Sequence, residues 1–528
     1  MIEFDPVLVH EWLRRSARRT PEKDAIICGQ ERWSYKRLDA CSDRFAGTLV
    51  DWGVRRQDRV IILTGNCPET VVSLYGTLKA GAAFVILEGN TKARRLSYIL
   101  RNSGARVLVA RMDQAAVVQE SLAELDASVS TVWVGASAPP DGCAGITWDS
   151  VFAAPPDGDG DSWPTAASRL PRCIDIDLAA LIYTSATTGD PKGVTCTHHN
   201  MVSAARSIVQ YIDNREDDII LDALPLSFDY GLYQVIMAVM FGGTVVLEPS
   251  FVYLHNILKR IADEKVTGFP IVPTMVAMLL KMRDLSGYDL SALRYMTNTG
   301  AALPVQHIQD LRRLLPHVKI FSMFGLTECK RVGYLDPAEL DRRPGSVGKA
   351  MPNCETRVVD ENGHEVGPGQ IGELIIRGSN VMQGYWNDPA MTAKVYLPGP
   401  YPAWRWLRSG DHFRRDEDGF LYFLGRKDDM IKTRGERVSP KEVENVLCEM
   451  EDVAEAAVVP VPDEVLGQAI KAFVVPRTDG LDRSAVLRHC ANRLSPFMVP
   501  KYIEFVSSLP KTAHGKINKR ALQTVEER

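Results

Sequence analysis

Strand and helix signals alternate along the first third of this 528-residue chain. Residues 59–63 form an apolar run typical of a buried strand, residues 69–80 have the pattern of a helix, and residues 83–87 again indicate a strand. The same alternation resumes at Leu178 and continues to about Pro316. Alternating strands and helices are typical of parallel sheets covered by helices. We therefore expect an α/β fold with two mostly parallel, helix-covered sheets.

Three segments depart from this alternation. Residues 345–423 contain short strand signals and many glycines, which predict a small β-barrel or meander. Residues 135–171 contain paired prolines and a glycine–aspartate run, which favour a mobile surface loop over a core element. The last part of the chain has strand and helix signals of its own and predicts a smaller α+β domain; these signals fall at 440–448, 453–461, 470–476 and 484–494.

Composition excludes several classes of protein. The formal net charge is −4, with 62 basic and 66 acidic residues, which argues against a nucleic-acid-binding protein that depends on bulk charge. We find no apolar run of 18 residues and no basic, apolar leader at the N-terminus, so we expect neither a membrane span nor a signal peptide. The ten cysteines include no C-x-x-C pair. The sequence thus indicates a reduced, cytoplasmic protein.

One loop stands out chemically. An apolar strand ends at Thr184 and continues into a run of hydroxyl side chains, Gly189 and Lys192. Hydroxyls and free backbone N–H groups suit a polyphosphate, and lysine adds positive charge. Val194 follows Gly193, so the spacing is not that of the G-x-x-x-x-G-K-[ST] loop. Taken alone, the segment could equally be a polar turn between strands.

This loop resembles the phosphate-binding loop of the acyl-adenylate-forming enzymes. That superfamily includes acyl-CoA synthetases, the adenylation domains of nonribosomal peptide synthetases and firefly luciferase. The resemblance covers nearly the whole chain, and further motifs occur before and after this loop in the family's order. They are Leu78 to Ala82, Asn298 to Ala302, Phe324 to Glu328, Gly384-Tyr385, Ser409 to Asp411, Gly425 to Asp429 with Lys432, Gly435 and Glu442, and Pro510 to Lys516.

The resemblance implies two domains and a hinge. Residues 1–427 would form the N-terminal AMP-binding domain, and residues 428–528 would form a smaller mobile domain that carries the catalytic lysine. Asp428 would be the hinge. After adenylation the C-terminal domain would rotate, and Gly435 would leave room for a pantetheine arm.

The resemblance also implies roles in ATP binding and catalysis. Lys516 would reach both the carboxylate and the α-phosphate, Thr327 would contact the α-phosphate, and Glu328 would bind Mg²⁺. The adenine site would include Gly300, Ala301, Ala302, Phe324 and Gly325, with Phe324 stacked on the purine. Asp411 and Arg426 would hold the ribose. The β- and γ-phosphates would be held by Thr184, Ser185, Ala186, Thr187, Thr188, Gly189 and Lys192.

The phosphate loop departs from the family at one position. Ala186 stands where glycine is usual. Glycine adopts a positive φ at little cost, and alanine does not. We expect activity to be retained, because alanine is the mildest replacement, with an altered affinity for ATP.

The acid pocket is expected to include Phe228, Asp229, Tyr230, Gly300 and Met323. The pair Phe228-Asp229 is similar to amino-acid adenylation domains, in which the aspartate binds the substrate ammonium, but the residues that follow are not. Phe-Asp-Tyr-Gly and Thr-Glu-Cys-Lys-Arg instead resemble stand-alone bacterial ligases, which include exosortase-associated acyl-CoA ligases and coronafacate or aminocoumarin amide synthetases. For Lys330 and Arg331 we favour structural ion pairing over contact with a polar end of the substrate.

The resulting functional prediction is an ATP-dependent, AMP-forming ligase that activates a small carboxylic acid and transfers it to a thiol. ATP and Mg²⁺ are the expected cofactors, and CoA is the expected acceptor. An amine or a separate carrier protein remains an alternative acceptor. A catalytically inactive nucleotide-binding protein and a luciferase-like oxygenase are the other candidates. Only residues 517–528 follow Lys516, so we expect a stand-alone ligase without an attached carrier domain. The sequence predicts no oligomeric state.

Overall fold

The structure is a computed structural model of the 528-residue chain. It describes residues 5–125, 128–153, 170–184, 190–282, 284–401, 404–426, 429–433, 436–463, 466–477, 480–512 and 516–523.

Helices occur along the whole of the described chain. They are α1 (Val9–Arg19), α2 (Tyr35–Asp51), α3 (Pro68–Lys79), α4 (Ala93–Ser103), α5 (Ala115–Ala123), α6 (Trp148–Phe152), α7 (His198–Ile212), α8 (Asp229–Phe241), α9 (Leu254–Asp263), α10 (Pro273–Lys281), α11 (Val305–Leu314), α12 (Pro389–Val395), α13 (Pro440–Cys448), α14 (Arg483–Ala491) and α15 (Lys519–Gln523).

The strands fall into an N-terminal group and a C-terminal group. The first is β1 (Asp24–Cys28), β2 (Glu31–Ser34), β3 (Arg59–Leu63), β4 (Ala83–Ile86), β5 (Val107–Arg111), β6 (Ser130–Val134), β7 (Ile146–Thr147), β8 (Leu178–Thr184), β9 (Lys192–Thr197), β10 (Ile219–Asp222), β11 (Thr244–Leu247), β12 (Gly268–Ile271), β13 (Tyr295–Asn298) and β14 (Lys319–Phe324). The second is β15 (Gly333–Leu335), β16 (Ser346–Ala350), β17 (Cys354–Val359), β18 (Ile371–Gly378), β19 (Tyr396–Leu397), β20 (Trp406–Arg415), β21 (Leu421–Arg426), β22 (Ile431–Thr433), β23 (Glu436–Val438), β24 (Val453–Asp463), β25 (Gly467–Pro476) and β26 (Tyr502–Phe505).

Within the described residues the strands form three sheets, which confirms the predicted α/β fold with a smaller C-terminal sheet. The first has seven strands in the order β7-β6-β5-β3-β4-β8-β9 and is parallel up to β8. The largest contains the parallel strands β1, β11, β10, β12, β13 and β14. The smallest contains β22 to β26.

The glycine-rich segment forms the antiparallel part of the largest sheet. From β14 the order continues through β15, β16, β21, β20, β18 and β17, and each of these pairs is antiparallel. The predicted barrel or meander is thus continuous with the parallel strands. This continuity brings loops from both kinds of strand to one place.

Helix α8 is buried along its length, from Asp229 to Met240. Its sequence is apolar on all faces, which is the pattern of a helix enclosed in the core. Gly231 permits its close approach to the preceding loop, because a Cβ there would lie 2.6 Å from the carbonyl oxygen of Pro225. The N-terminal end of this buried helix therefore has a fixed position, and it carries the predicted acid-pocket residues.

The segment 135–171 differs from the predicted mobile loop. It contains β7 and α6, and Trp148 and Val151 are buried. The Trp148 ring lies 5.7 Å from that of Phe45. The prolines and glycines of this segment hid the signal of a short amphipathic helix, whose buried residues Trp148 and Val151 pack on the core. Residues 154–169 lie outside the described residues.

Candidate active site

The predicted phosphate loop connects two antiparallel strands. Thr184 ends β8 and pairs in register with Lys192, the first residue of β9. The two predicted phosphate ligands that the structure describes thus lie opposite each other at the base of the loop. Ser185, Ala186, Thr187, Thr188 and Gly189 lie outside the described residues, so the expectation for Ala186 stays a prediction.

A tyrosine joins this loop to the predicted metal ligand. The hydroxyl of Tyr385 donates a hydrogen bond to Oε1 of Glu328 at 2.7 Å. The ammonium of Lys192 lies 5.6 Å from the centroid of the same ring. Backbone hydrogen bonds hold residues 383–386 along the edge of β9. Burial raises the pKa of Tyr385, and the neighbouring carboxylate raises it further, so the phenol remains a donor.

The sequence motif Gly384-Tyr385 did not indicate a role for the tyrosine. The residue that Tyr385 contacts, Glu328, is 57 residues away in the chain. Only the fold brings them together. The hydrogen bond from Tyr385 uses Oε1 of Glu328 and leaves Oε2 for another partner. Mg²⁺ is commonly held by one or two carboxylates together with nucleotide phosphates. The donor set therefore fits the predicted ion.

The loop that carries Thr327 and Glu328 folds back on itself. A Cβ at Gly325 would lie 2.3 Å from the carbonyl oxygen of Lys330, so this close approach requires glycine. Lys330 itself adopts a positive φ of 57°. The tight loop leaves Thr327 and Glu328 half-buried at the end of β14.

The predicted ribose ligands form an ion pair. Asp411 in β20 and Arg426 in β21 are directly opposed in the antiparallel ladder. Their atoms Oδ1 and Nε are 3.0 Å apart, and the aspartate is almost fully buried whereas the arginine is exposed. Burial raises the pKa of the Asp411 carboxyl to about 7, although the charge of Arg426 opposes this shift. Apart from this ion pair, the buried Oδ1 of Asp411 accepts no hydrogen bond from the described residues.

The C-terminal segment brings Lys516 to the same place. Its Nζ lies 5.6 Å from the ring centroid of Phe228. Gly300 lies beside both residues, because a Cβ there would be 3.3 Å from Cζ of Phe228 and 3.6 Å from Cε of Lys516. Burial lowers the pKa of Lys516. The carboxylates of Asp229, Asp411 and Glu328 oppose this shift, and Arg426 adds to it.

The turn that presents Lys516 is held by its own hydrogen bonds. The backbone N–H of Lys516 donates to Oγ1 of Thr512 at 3.2 Å, and the N–H of Thr512 donates to the carbonyl oxygen of Lys516 at 2.7 Å. Residues 513–515 lie outside the described residues. Lys516 thus reaches the site from a short turn near the end of the chain.

The predicted acid-pocket residues meet at the start of α8. Phe228 is the N-cap, and Asp229 and Tyr230 form the first turn. A carboxylate in the first turn interacts favourably with the helix dipole. The Tyr230 hydroxyl lies 2.6 Å from the carbonyl oxygen of Thr297 and donates to it. The rings of Phe228 and Tyr230 pack edge to face, with their centroids 6.2 Å apart.

Asp229 already has a cationic partner. The buried ammonium of Lys330 donates to the main-chain oxygen of Asp229 at 2.7 Å and lies 3.5 Å from its Oδ2. Burial lowers the pKa of Lys330 to about 7, and the Asp229 carboxylate opposes this shift. The pairing confirms the structural role favoured for Lys330. It weighs against Asp229 as an anchor for an amino-acid ammonium.

The other predicted residues line the ends of β13 and β14. Met323 is buried, and its sulfur lies 3.0 Å from the Tyr211 hydroxyl. Phe324 is half-buried and meets Phe413 edge-on, with centroids 4.8 Å apart. Ala301 and Ala302 follow β13, and the carbonyl oxygen of Ala302 accepts a hydrogen bond from Lys441 at 3.1 Å.

Besides the residues of the phosphate loop, two further predicted residues lie outside the described residues. They are Asp428, the predicted hinge, and Gly435, predicted beside the pantetheine arm. Lys427, at the predicted domain boundary, also lies outside. The hinge, the boundary and the pantetheine contact therefore stay predictions.

Among the described residues, no helix is long and apolar enough to cross a membrane.

Comparison with known proteins gives consistent results along the chain. The family model described as "AMP-binding enzyme" matches residues 13–386, and "AMP-binding enzyme C-terminal domain" matches residues 442–516. An indoleacetate–CoA ligase of Aromatoleum aromaticum is 35% identical over 515 residues, which cover 96% of this chain and 96% of that protein.

Two solved structures share the fold. One is the anthranilate CoA ligase AuaEII in complex with anthranoyl-AMP, with a TM-score of 0.88, 28% identity, and coverage of 99% of this chain and 98% of that chain. The other is the amide bond synthetase McbA from Marinactinospora thermotolerans, with a TM-score of 0.86, 26% identity, and coverage of 98% and 99% respectively.

Proposed function

Because the chain belongs to the AMP-binding enzyme family, we propose that it is an ATP-dependent, AMP-forming carboxylic acid ligase with CoA as the acceptor. The observation that carries this proposal is the position of Lys516. Its ammonium lies beside Phe228 and Gly300, under the influence of the carboxylates of the nucleotide site. A lysine brought from the end of the chain into such a site suits a reaction between two anions.

The first half-reaction joins the acid to AMP. A carboxylate oxygen attacks the α-phosphorus of ATP, a new P–O bond forms, and the bond between the α-phosphorus and the bridging oxygen breaks to release pyrophosphate. Both reactants are anionic, so fixed positive charge is needed where they meet. Lys516 supplies this charge, and Thr327 donates to the α-phosphate.

The nucleotide is held on three sides. The Asp411 carboxylate accepts a hydrogen bond from a ribose hydroxyl, and Arg426 donates to the same sugar. Phe324 stacks on adenine, beside Gly325 and the segment from Gly300 to Ala302. Thr184, Lys192 and the intervening loop hold the β- and γ-phosphates. Glu328, oriented by Tyr385, provides a carboxylate for Mg²⁺, which when bound neutralises phosphate charge.

The second half-reaction transfers the acyl group to a thiol. The sulfur attacks the acyl carbon, the bond from that carbon to the phosphate oxygen breaks, and AMP leaves while the thiol loses its proton. The proposed mobile domain, residues 428–528, rotates about Asp428, so that Lys516 withdraws and Gly435 makes room for the pantetheine arm of CoA. Such a motion gates turnover in many enzymes.

The proposal that CoA is the acceptor rests on the names of similar proteins. The indoleacetate relative and the anthranilate neighbour are named as CoA ligases, and both are aligned over nearly their whole length. The likeness to the amide bond synthetase McbA supports an amine as the second candidate acceptor. A separate carrier protein remains a third.

All ten cysteines lie among the described residues and are free, which suits a cytoplasmic location.

One pooled reaction tests the proposal. The protein is incubated with ATP, Mg²⁺, CoA, amines and a panel of alkyl, aryl and amino acids, and the products are identified by mass spectrometry. Acyl-CoA masses that appear with AMP support the ligase. Amide masses that form without CoA support an amide synthetase. Pyrophosphate released with neither product contradicts both acceptors, and nucleotide binding without pyrophosphate release contradicts the reaction itself.

A further inference from the structure

Arg331 is a buried cation without a counter-charge. Its side chain is 1% exposed. Its Nε and Nη1 find no hydrogen-bond partner among the described residues. The guanidinium carbon lies 5.4 Å from the ring centroid of Tyr230, so one aromatic face is its nearest compensation. A buried charge is costly unless it is paired and hydrogen-bonded, and arginine cannot lose its proton.

The neighbouring acidic groups do not neutralise Arg331. Asp229 is paired with Lys330. Asp222 is fully buried at the end of β10, and burial raises the pKa of its carboxyl well above the ordinary value, which favours the neutral form. Neither Nε nor Nη1 of Arg331 has a carboxylate partner among the described residues.

Arg331 adjoins the predicted acid pocket through Tyr230. The guanidinium stands over the Tyr230 ring, and this ring packs edge-on against Phe228, which lies 5.6 Å from the ammonium of Lys516. Arg331 therefore contacts a residue predicted to line the pocket in which Lys516 meets the acid.

We propose that Arg331 is a specificity-determining residue that binds a second carboxylate, at the far end of the acid substrate. The inference rests on the proposed function and names its substrate class: an acid with an anionic group at each end. A guanidinium presents parallel N–H donors that match a carboxylate, and this pairing is among the strongest charge-assisted hydrogen bonds. The substrate would supply the counter-charge that the fold omits.

Matched pairs of acids test the proposal on the wild-type protein. Each pair contains a monocarboxylic acid and its analogue with a terminal carboxylate, such as pentanoate with glutarate, hexanoate with adipate, octanoate with suberate, and phenylacetate with 4-carboxyphenylacetate. Pyrophosphate release gives kcat/KM for each. We expect the better diacid to exceed its partner by at least about 100-fold, since sites built around a buried polar group reject analogues that lack its partner.

The variant Arg331→Met removes the charge at similar length. We expect it to abolish the preference, so that the ratio within the best pair falls to about one or below, while Arg331→Lys retains part of it. Arg342→Met is the matched control, because Arg342 is 78% exposed, and it should leave the ratio unchanged. Without ligand, Arg331→Met should melt no lower than the wild type, whereas a purely structural arginine would lower the melting temperature on removal.

The outcomes separate this inference from the proposed function. Monocarboxylic acids that are activated as well as or better than every diacid would overturn the inference and leave the ligase intact. A diacid preference that persists in Arg331→Met would also overturn it. If no acid of either kind releases pyrophosphate, the proposed function falls and the inference falls with it. If the Met variant does not fold, a wild-type preference for monocarboxylic acids still decides against the inference.

Discussion

Two lysines bring positive charge to Asp229 from different parts of the chain. Lys330 belongs to the tight loop after β14, where its positive φ and a hydrogen bond of 2.7 Å to the Asp229 main chain fix it. Lys516 belongs to a short C-terminal turn, and its ammonium lies 5.6 Å from the Phe228 ring. The pKa of both is lowered by burial. The two residues have the same type and charge, but Lys330 is hydrogen-bonded to Asp229 whereas the ammonium of Lys516 lies against an aromatic ring.

From this difference we expect Lys330 to serve the fold and Lys516 to serve the proposed reaction. Lys330 already contacts the main chain and the carboxylate of Asp229. The ammonium of Lys516 lies against an aromatic ring, and we expect its donors to be available to a substrate carboxylate and phosphate. The same substitution at both positions, lysine to methionine, therefore separates the two roles.

Lys516→Met should have the largest effect, and it should be on activity. We expect the rate of pyrophosphate release to fall roughly 10²- to 10³-fold, because charge in the transition state is left without its donor. The melting temperature should change little. Transfer to the acceptor from a supplied acyl-adenylate is the control and should persist. Wild-type pyrophosphate release in this variant would remove Lys516 from the mechanism.

Lys330→Met should show the opposite pattern. Its removal leaves the buried Asp229 carboxylate unpaired, so the free energy of unfolding should fall by about 3 kcal/mol. Denaturant unfolding measures this loss. The double variant Asp229→Asn with Lys330→Met is the control and should recover part of the stability. A single variant as stable as the wild type would show that the pair does not stabilise the fold.

Tyr385→Phe changes the site without touching either lysine. The variant loses the hydrogen bond to Glu328, and a bond to a charged group contributes about 1.5 kcal/mol, so pyrophosphate release should slow roughly tenfold. The loss should be greatest at low Mg²⁺ concentration. Tyr401→Phe is the matched control, because Tyr401 is 60% exposed and its ring packs on Trp404. Equal rates in both variants would contradict the assigned role of Tyr385.

A further effect is expected in the pH dependence of stability. Lys330 has a pKa of about 7 in the folded protein, against about 10.4 for an unfolded lysine. Between these values the unfolded chain binds more protons, so the contribution of Lys330 to stability rises with pH. The difference in unfolding midpoint between wild type and Lys330→Met should widen from pH 7 to pH 9.5. A constant difference would contradict the lowered pKa.

The sequence predicted the elements of the fold well where periodicity is regular. The strand predicted at 59–63 agrees residue for residue with β3, and the element bounds predicted at 440–448 are those of α13. The prediction of a loop was wrong at residues 146–152, where proline- and glycine-rich surroundings hid the signal of the short helix that buries Trp148. A five-residue helix has too few turns to show a period, and only its contact with Phe45 reveals it.

The candidate site was predicted as a set of motifs, without its internal contacts. The motif Thr327-Glu328 was recognised, yet its partner Tyr385 was not assigned. Lys330 and Arg331 are adjacent in sequence and were grouped as structural. The structure separates them, because Lys330 reaches Asp229 whereas Arg331 stands over Tyr230 with two nitrogens unpaired among the described residues.

The sequence by itself determined the alternation of strands and helices, the family, and the residues predicted to contact the nucleotide, because hydrophobic period and motif spacing are local properties of the chain. The tertiary structure decided which charges are neutralised. Lys330 meets Asp229 across 101 residues, and Lys516 reaches Phe228 from the other end of the chain. Such pairs depend on how elements pack and on which groups packing removes from water, and neither quantity is written in any short stretch of sequence.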